Sequence, residues 1–220
     1  MQTIAISRVH FPVTTLGPGR RLGIWMQGCS IRCPGCISAD TWAAGRGHVT
    51  IARLISQVER WLAQADGITV SGGEPFDQPD ALSALLTAVR DATTADILVY
   101  SGHTFEAIAF EVAKLSGLID ALISDPYRAD APQTLALRGS DNQRLHCLTP
   151  LGEARFGALV TARATDRALD VMFDEDGSAW LAGIPRRGDW EKLQQHLRAT
   201  GATVSTSADA SPAARGDGGE

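Results

Sequence analysis

Short apolar runs rich in β-branched residues alternate along the first part of the chain with segments whose apolar residues recur at helical spacing. Such alternation predicts βα units that build a mainly parallel sheet. The predicted strands are Arg21–Gln27, Gly67–Val70, Ile97–Tyr100 and Ala121–Ser124. Helices are predicted after Thr50, Pro79 and Thr104, because threonine caps helix N-termini and proline suits a first helical turn. The pattern therefore predicts an α/β fold.

The pattern changes after Pro150. Two apolar runs, Leu169–Phe173 and Ala179–Leu181, predict a hairpin whose turn is Asp174–Gly177. A helix that begins near Trp190 is predicted to follow. These elements form a C-terminal extension that could cover a site, dock another protein or complete the sheet, and we expect it to complete the sheet.

The chain has 220 residues, which fits one domain with short additions better than two full domains. We predict a core at residues 1–150 and a C-terminal extension, residues 151–204, packed on that core. Residues 205–220 are predicted to be a disordered tail, because they are rich in alanine, serine, aspartate and glycine and show no apolar period.

Composition narrows the functional classes. The chain is 44% hydrophobic and 20% charged with a net charge of −5, so broad attraction to nucleic-acid phosphates is not expected. No segment approaches the ~20 apolar residues of a membrane span, and no secretory signal is apparent, which favours a cytoplasmic protein without a membrane partner. Three of the four cysteines crowd into eight positions, and in a reducing compartment this clustering favours metal binding over disulfides.

The three clustered cysteines are Cys29, Cys33 and Cys36. Three thiolates on one short loop can hold three corners of a cubane iron–sulfur cluster, which leaves the fourth iron open to a reactive ligand. A structural zinc site is the competing interpretation, with His48 or Cys147 as its fourth ligand. Zinc ligands usually come as two separated pairs, so the cluster is the favoured hypothesis. Cys147 is otherwise expected to be a buried, small apolar residue.

A second motif, Gly72–Pro75, directly follows a predicted strand. A double glycine at a strand end lets a ligand approach the backbone, and Glu74 could accept hydrogen bonds from an ammonium group. A tight turn between a strand and a helix is the competing interpretation. The cysteine motif, this glycine loop, Ser101 and Ser124 all follow strand ends, and in parallel α/β folds ligands gather at that rim. The sequence therefore predicts a single site there.

Several motifs occur in a shared order in the first two thirds of the chain. They are Gly17-Pro18-Gly19, Trp25-x-Gln27-Gly28-Cys29, Cys33-Pro34-Gly35-Cys36, Trp42, Ser71-Gly72-Gly73-Glu74-Pro75, Tyr100-Ser101-Gly102-His103-Thr104-Phe105-Glu106 and Arg138-Gly139-Ser140-x-Asn142-Gln143. Together they resemble the activating enzymes of anaerobic ribonucleotide reductases, a branch of the radical S-adenosylmethionine (radical SAM) superfamily. The resemblance spans residues 2–150. Family members often show Asp-Gly-Pro-Phe where this chain has Ser124-Asp125-Pro126-Tyr127, and they tend to end near the Asn-Gln motif.

The resemblance implies a partial (βα) barrel of the radical SAM type, with a [4Fe-4S] cluster and S-adenosylmethionine as cofactors. It implies that the cluster is held by Cys29, Cys33 and Cys36. The residues implied to contact S-adenosylmethionine are Gly35, Cys36 and Ile37 at the adenosine, Gly72, Gly73 and Glu74 at the methionine end, and Ser101 and His103 near the ribose. Asn142 and Gln143 are placed on the substrate side.

The resemblance also implies an activity. One electron would cleave S-adenosylmethionine to a 5′-deoxyadenosyl radical, which would abstract hydrogen from a glycine of a partner such as anaerobic ribonucleotide reductase. A low-potential donor such as flavodoxin or ferredoxin would supply the electron. Two alternatives stay open: a radical SAM enzyme acting on a peptide or small molecule, and a non-catalytic iron–sulfur redox sensor or interaction protein. The Gly72–Glu74 loop argues against a sensor, which needs no methionine-binding loop.

Overall fold

A computed structural model describes residues 2–173 and 179–201 of the chain. The strands are β1 Thr3–Val13, β2 Arg21–Met26, β3 His48–Thr50, β4 Gly67–Gly72, β5 Asp96–Tyr100, β6 Ala121–Ser124, β7 Arg144–Cys147, β8 Leu169–Phe173 and β9 Ala179–Gly183. The α-helices are α1 Ile51–Leu62, α2 Pro79–Ala92, α3 Phe105–Lys114, α4 Pro150–Phe156 and α5 Asp189–Ala199. Single 3₁₀ turns lie at Ala39–Thr41, Pro75–Asp77 and Gly157–Leu159.

Seven strands form one sheet in the order β3-β1-β2-β4-β5-β6-β7. The four central strands β2, β4, β5 and β6 run parallel, and β1, β3 and β7 pair antiparallel at the two sides. The sheet is open, because β3 and β7 form its edges within the described residues. The predicted α/β class with a parallel core is confirmed.

The central strands are almost wholly buried, because the helices pack their apolar faces against the sheet. All six residues of β2 are buried, and Leu82, Leu85 and Leu86 of α2 pack in the same cluster as Leu22 of β2. The predicted caps are confirmed, since the Thr50 and Thr104 side chains each accept a hydrogen bond from the first turn of α1 and α3.

A fully buried arginine aligns the amino ends of three parallel strands. The Arg21 guanidinium donates to Asp96 Oδ1 (2.6 Å), to Thr69 Oγ1 (2.6 Å) and to the Ile68 carbonyl (2.7 Å). Arg155 of α4 contributes a second guanidinium to Asp96, at 2.9 Å. A buried charge is tolerated only when paired and hydrogen-bonded, so these contacts fix β2, β4 and β5 side by side.

The C-terminal extension does not complete the main sheet, so that expectation is wrong. Strands β8 and β9 form a separate two-stranded sheet. Their buried residues Met172 and Ala182 pack on Val13, Leu16 and Trp25, an apolar patch beside the β1–β2 pair. Burying this apolar patch is favourable, so the hairpin packs here and does not pair with β3 or β7 at the edges of the sheet. The predicted turn Asp174–Gly177 and the predicted tail at residues 205–220 lie outside the described residues.

One carboxylate anchors the hairpin to the core. Asp170 of β8 accepts hydrogen bonds from the backbone amides of Thr14 and Thr15 (2.7 and 3.1 Å) and from their hydroxyls (2.8 and 2.9 Å). Hydrogen bonds to a charged acceptor are stronger than neutral ones, so Asp170 holds the extension in one position. Within the described residues, no helix combines the length and the apolar character that crossing a membrane requires.

Replacing Asp170 by alanine is expected to lower the free energy of unfolding by about 2 kcal/mol, because four donors lose their common acceptor. Urea denaturation followed by tryptophan fluorescence measures this loss. Asp166→Ala is the matched control, since Asp166 is exposed and a surface change of this kind costs less than about 0.5 kcal/mol. Equal losses in the two variants would contradict the anchoring role.

Candidate active site

The ends of β2 and β4 are joined backbone to backbone. The Gly73 amide donates to the Met26 carbonyl (2.9 Å), and the Glu74 amide donates to the Gly28 carbonyl (2.8 Å). A Cβ at Gly73 would overlap the Gly28 carbonyl oxygen, and one at Gly72, whose φ is +99°, would lie 2.6 Å from the Met26 nitrogen. The space on the Cβ side of Gly73 is thus filled by Gly28, which leads directly into the cysteine loop, residues 29–36, while Gly73 also lines the cavity described below.

The cysteine loop is tied to the glycine loop, residues 72–75, at a second point. Asp77, in the 3₁₀ turn after Glu74, accepts the Ser30 amide at 2.7 Å and the Ser30 hydroxyl at 2.8 Å. Within the loop, the Cys36 amide donates to the Cys33 carbonyl at 3.1 Å. The two motifs therefore leave the sheet together and form one unit.

Each cysteine sulfur is met by hydrogen-bond donors. Burial raises the pKa of Cys29, Cys33 and Cys36, and that of Cys36 reaches about 11. Hydrogen bonds oppose this rise: backbone amides of the loop act on Cys29 and Cys33. From outside the loop, the Tyr127 backbone acts on Cys33, and the Ser38 backbone and the Trp42 side chain act on Cys36. Donors aimed at sulfur are what iron-bound thiolates use, and they help set the potential of a cluster.

The residues present fit a cluster better than a zinc ion. All three loop cysteines are half-buried and line one cavity. In the described part of the chain, no group of three or more His, Cys, Asp or Glu side chains is arranged to hold a single metal ion. A cubane does not need such an arrangement, because each thiolate binds a different iron.

Neither proposed fourth zinc ligand lies on this cavity. Cys147 pairs with Ala121 at the amino end of β6, opposite the rim that carries the cysteine loop. It is also half-buried, which corrects the expectation of a buried residue. His48 is an exposed residue of the edge strand β3. The zinc interpretation therefore loses both of its candidate ligands.

Glu74 joins the carboxyl ends of β4 and β5. Its side chain is 1% exposed, and its two oxygens accept the Phe76 amide (3.0 Å), the Ser101 hydroxyl (2.9 Å) and the Gly102 amide (2.8 Å). Burial raises the pKa of Glu74, and these three donors counteract the rise. A carboxylate has about four acceptor positions, so three of them are used within the protein. The first structural role of Glu74 is therefore to hold the rim together.

A cavity of about 870 Å³ opens at this rim. Four of the five tryptophans and both tyrosines of the chain line it. These aromatic residues are Trp25, Trp42, Tyr100, Tyr127, Trp180 and Trp190. The lining combines motifs of the sheet rim with β9 and with the segment that follows it, so the C-terminal extension forms part of the cavity wall.

The structure brings most of the predicted site residues to this cavity. Those on its wall are Cys29, Cys33, Gly35, Cys36, Ile37, Gly72, Gly73, Glu74, Ser101 and Gln143. His103 lies beside it, with its Nε2 atom 3.7 Å from Asp77. Asn142 supports the wall from behind, because its amide donates to the Pro126 carbonyl at 2.8 Å. Direct contact with the cofactor or the substrate is thus better supported for Ser101 and Gln143 than for His103 and Asn142.

Sequence reasoning missed two parts of the wall. Tyr127 packs against the cysteine loop, and its ring would lie 3.5 Å from a Cβ at Gly35. Arg8 stacks on Trp180 at 4.6 Å and on Trp25 at 5.5 Å, and its guanidinium pairs with Asp40 just after the cysteine loop. The departure from the family motif at residues 124–127 was the available signal for Tyr127. No local pattern marked Arg8, because its partners are distant in the sequence.

The fold and the site define a class of iron–sulfur protein, and comparison with known proteins names it. The model of the 4Fe-4S single cluster domain family matches residues 15–146, more than half of the chain, and the chain belongs to this family. It is 30% identical over 134 residues to the anaerobic ribonucleoside-triphosphate reductase-activating protein of Enterobacteria phage T4, which covers 59% of this chain and 85% of that protein.

Two further relatives carry similar names. The anaerobic ribonucleoside-triphosphate reductase-activating protein of Vibrio cholerae is 29% identical over 64% of this chain and 96% of its own length. The pyruvate formate-lyase-activating enzyme of Listeria monocytogenes is 35% identical over 54% of this chain and 51% of its own length. The solved structure of QueE from Escherichia coli has a TM-score of 0.41 at 17% identity, over 46% of this chain and 54% of that one.

The family match and the named activating proteins confirm the resemblance. The chain is an enzyme of the radical SAM activating type, with a [4Fe-4S] cluster and S-adenosylmethionine as cofactors. The two reductase-activating relatives are covered over 85% and 96% of their length and the lyase-activating relative over 51%, whereas the matches account for 54–64% of this chain. The match to the family model ends at residue 146. Much of the C-terminal extension, which lines the cavity, is therefore an addition to the shared core.

Gly73→Ala is expected to lower the free energy of unfolding by about 3 kcal/mol, because the new methyl group meets the Gly28 backbone rather than a movable side chain. Gly45→Ala is the control: Gly45 has φ +79° but open space around it, so only backbone strain of about 1 kcal/mol is expected. Chemical denaturation of both variants measures the difference. A Gly73→Ala protein as stable as the control would contradict the close approach of the two loops.

The cysteine loop makes a separate prediction about metal content. Anaerobic reconstitution should give about four irons per chain, and Cys33→Ala should abolish the absorption of the cluster. Cys147→Ala is the control and should retain the iron, because Cys147 lies at the other end of the sheet. Iron analysis and visible absorption measure both. Tightly bound zinc without iron uptake in protein purified without oxygen would contradict the cluster.

Proposed function

We propose that this chain reductively cleaves S-adenosylmethionine and installs a glycyl radical on a partner enzyme, most directly an anaerobic ribonucleotide reductase. The observation that carries the proposal is that the cysteine loop and the glycine loop leave neighbouring parallel strands and line one cavity. The named activating proteins among the relatives support the choice of reaction.

We assign Cys29, Cys33 and Cys36 as the cluster ligands. When bound, the cluster supplies one electron to the sulfonium of S-adenosylmethionine, which breaks the sulfur–C5′ bond and gives methionine and a 5′-deoxyadenosyl radical. The backbone at Gly72 and Gly73 and the rim held by Glu74 position the methionine end. Gly35, Ile37 and Ser101 line the part of the cavity assigned to the nucleoside.

The aromatic wall serves the second half of the reaction. A carbon radical must meet its target before it meets another hydrogen donor, so the site has to hold the target close to the radical in a shaped cavity. Trp25, Trp42 and Trp180 supply large apolar surfaces around the cavity. The Arg8 guanidinium lies over the Trp25 and Trp180 rings and forms an ion pair with Asp40. The positive charge of Arg8 on this wall is therefore balanced. The radical would therefore react with the substrate group that enters the cavity from the protein surface.

A partner must be able to reach this cavity. The wall includes exposed residues, among them Ile37 (59% exposed) and Arg186, so the cavity extends to the protein surface. We propose a glycyl-radical enzyme as the partner and a low-potential flavodoxin or ferredoxin as the electron donor. A cytoplasmic location follows from the same proposal, because both partners work in a reducing compartment.

The second candidate is a radical SAM enzyme that acts on a peptide or small molecule. The C-terminal extension favours it, because β9 and residues 184–188 narrow a site that the matched core would leave wider. This candidate keeps the same cofactors and cysteine ligands and changes only the substrate. A redox sensor would need no loop for the methionine end of S-adenosylmethionine, so the glycine loop gives this alternative no support and we do not propose it.

The proposed function predicts a radical signal on the partner. The chain is mixed anaerobically with S-adenosylmethionine, a low-potential reductant and the glycyl-radical enzyme of the same organism, and a doublet glycyl signal is expected in electron paramagnetic resonance. The signal should disappear in the Cys29→Ala protein and when the acceptor glycine of the partner is replaced by alanine. Formation of 5′-deoxyadenosine without any partner radical would exclude activase function and favour the second candidate.

A further inference from the structure

Strand β9 contributes an unbroken run of residues to the cavity. Every residue from 179 to 188 lies on the wall, including all five residues of the strand. Side chains of a strand alternate between two faces, so a strand that turned one face to a cavity would contribute every second residue. Residues from both faces of β9 therefore reach the cavity, which places the strand side-on along the cavity wall.

One edge of β9 is not used by another strand in the described part of the chain. β9 pairs with β8 alone, in the register Leu169↔Gly183 to Phe173↔Ala179. A strand edge offers a row of amide donors and carbonyl acceptors, and an extended peptide can add to it as a further strand. In the described part of the chain, the edge of β9 opposite β8 is thus the side on which a further strand could pair.

The edge is held firmly in place. Beyond the Asp170 anchor, the Gln133 side chain donates to the Pro185 carbonyl at 2.9 Å, and the Arg167 guanidinium donates to the Ile184 carbonyl at 3.2 Å. The Thr15 hydroxyl that bonds to Asp170 also lies 3.0 Å from the Ala182 carbonyl oxygen, so its one hydrogen is shared between the two acceptors. A preformed edge loses little conformational freedom when a strand adds to it, which favours binding.

The edge is also placed at a fixed position relative to the cysteine loop. Arg8 stacks on Trp180 of β9 and pairs with Asp40, four residues after Cys36. One guanidinium thus links the recognition surface to the loop that holds the cluster. A strand added to β9 would run along the cavity wall past the cysteine loop.

We propose that the β9 edge binds an extended segment of a polypeptide substrate as a third strand and guides one backbone position of that segment to the cysteine loop. This inference rests on the proposed function and names how its substrate is held. Small-molecule sites span ~300–1000 Å³, and a cavity of about 870 Å³ has room for a peptide segment beside S-adenosylmethionine. Arg186 and Arg187 are exposed on this wall, near Glu191 and near Asp189, which accepts the Arg186 amide at 3.1 Å. The two guanidinium groups favour an acidic residue at the outer end of the segment.

The hairpin offers matched variants for a test. Ala179 and Leu181 of β9 line the cavity, whereas their cross-strand neighbours Phe173 and Val171 on β8 are 77% and 52% exposed and lie off the wall. Lysine on a strand edge blocks strand addition. Ala179→Lys and Leu181→Lys should each weaken peptide binding by about tenfold, and Phe173→Lys and Val171→Lys should leave it within about twofold.

The probes are 12-residue peptides tiled across the glycyl-radical enzyme of the same organism. Binding to the full-length, cluster-loaded chain is measured by fluorescence anisotropy, and urea midpoints confirm that all four variants fold. The best-binding peptide is then resynthesised with single N-methylated amides. Strand addition predicts an alternating pattern, in which every second methyl group weakens binding by about tenfold, because only alternate amides face β9.

Equal binding by all four variants, or N-methyl effects without alternation, would overturn strand addition. So would a partner that acquires its radical at the parent rate from the Leu181→Lys protein. Failure of the proposed function looks different, because the unchanged protein would then give no radical on the partner, with or without 5′-deoxyadenosine, whatever the peptide results. An alternating N-methyl pattern with losses confined to the β9 variants would establish the edge as the substrate-binding surface.

Discussion

The site depends on the backbone contact between the ends of β2 and β4. The Gly73 amide donates to the Met26 carbonyl, and the Glu74 amide donates to the Gly28 carbonyl. These two hydrogen bonds join the glycine loop to the residues that lead into the cysteine loop. Such contact is possible only where the side chain is a hydrogen atom, as the overlap of a Gly73 Cβ with Gly28 shows. A hydrogen bond from the Ser30 amide to Asp77 ties the two loops together a second time. The Glu74 carboxylate, which accepts the Ser101 hydroxyl, extends the same unit to the end of β5.

The core and its motifs could be predicted from the sequence because both follow from local rules. The four parallel strands have near-continuous apolar runs, and their helices have clear caps. The flanking strands β1, β3 and β7 and the short helix α4 were missed. β1 is an eleven-residue strand with a mixed burial pattern and a register shift, so it lacks the clean alternation that identifies a half-buried strand.

The C-terminal extension shows where local rules stop. Its hairpin and helix were predicted correctly, but its position was not, because that depends on Asp170 reaching Thr14 and Thr15 about 155 residues earlier in the chain. The result matters for function. The match to the family model ends at residue 146, so the part of the cavity wall that β9 supplies, with Trp180 on Arg8, lies outside the shared part of the chain. We propose that this added wall selects the substrate, while the reaction centre belongs to the shared core.

The central claim is that three cysteines leave one iron open for S-adenosylmethionine. Electron–nuclear double resonance of the reduced, reconstituted protein tests it, with S-adenosylmethionine labelled with ¹⁵N at its amino group and ¹⁷O at its carboxylate. The account predicts that the cofactor changes the cluster spectrum and that both labels couple to it. A cluster spectrum that S-adenosylmethionine leaves unchanged, with no coupling to either label, would contradict the account.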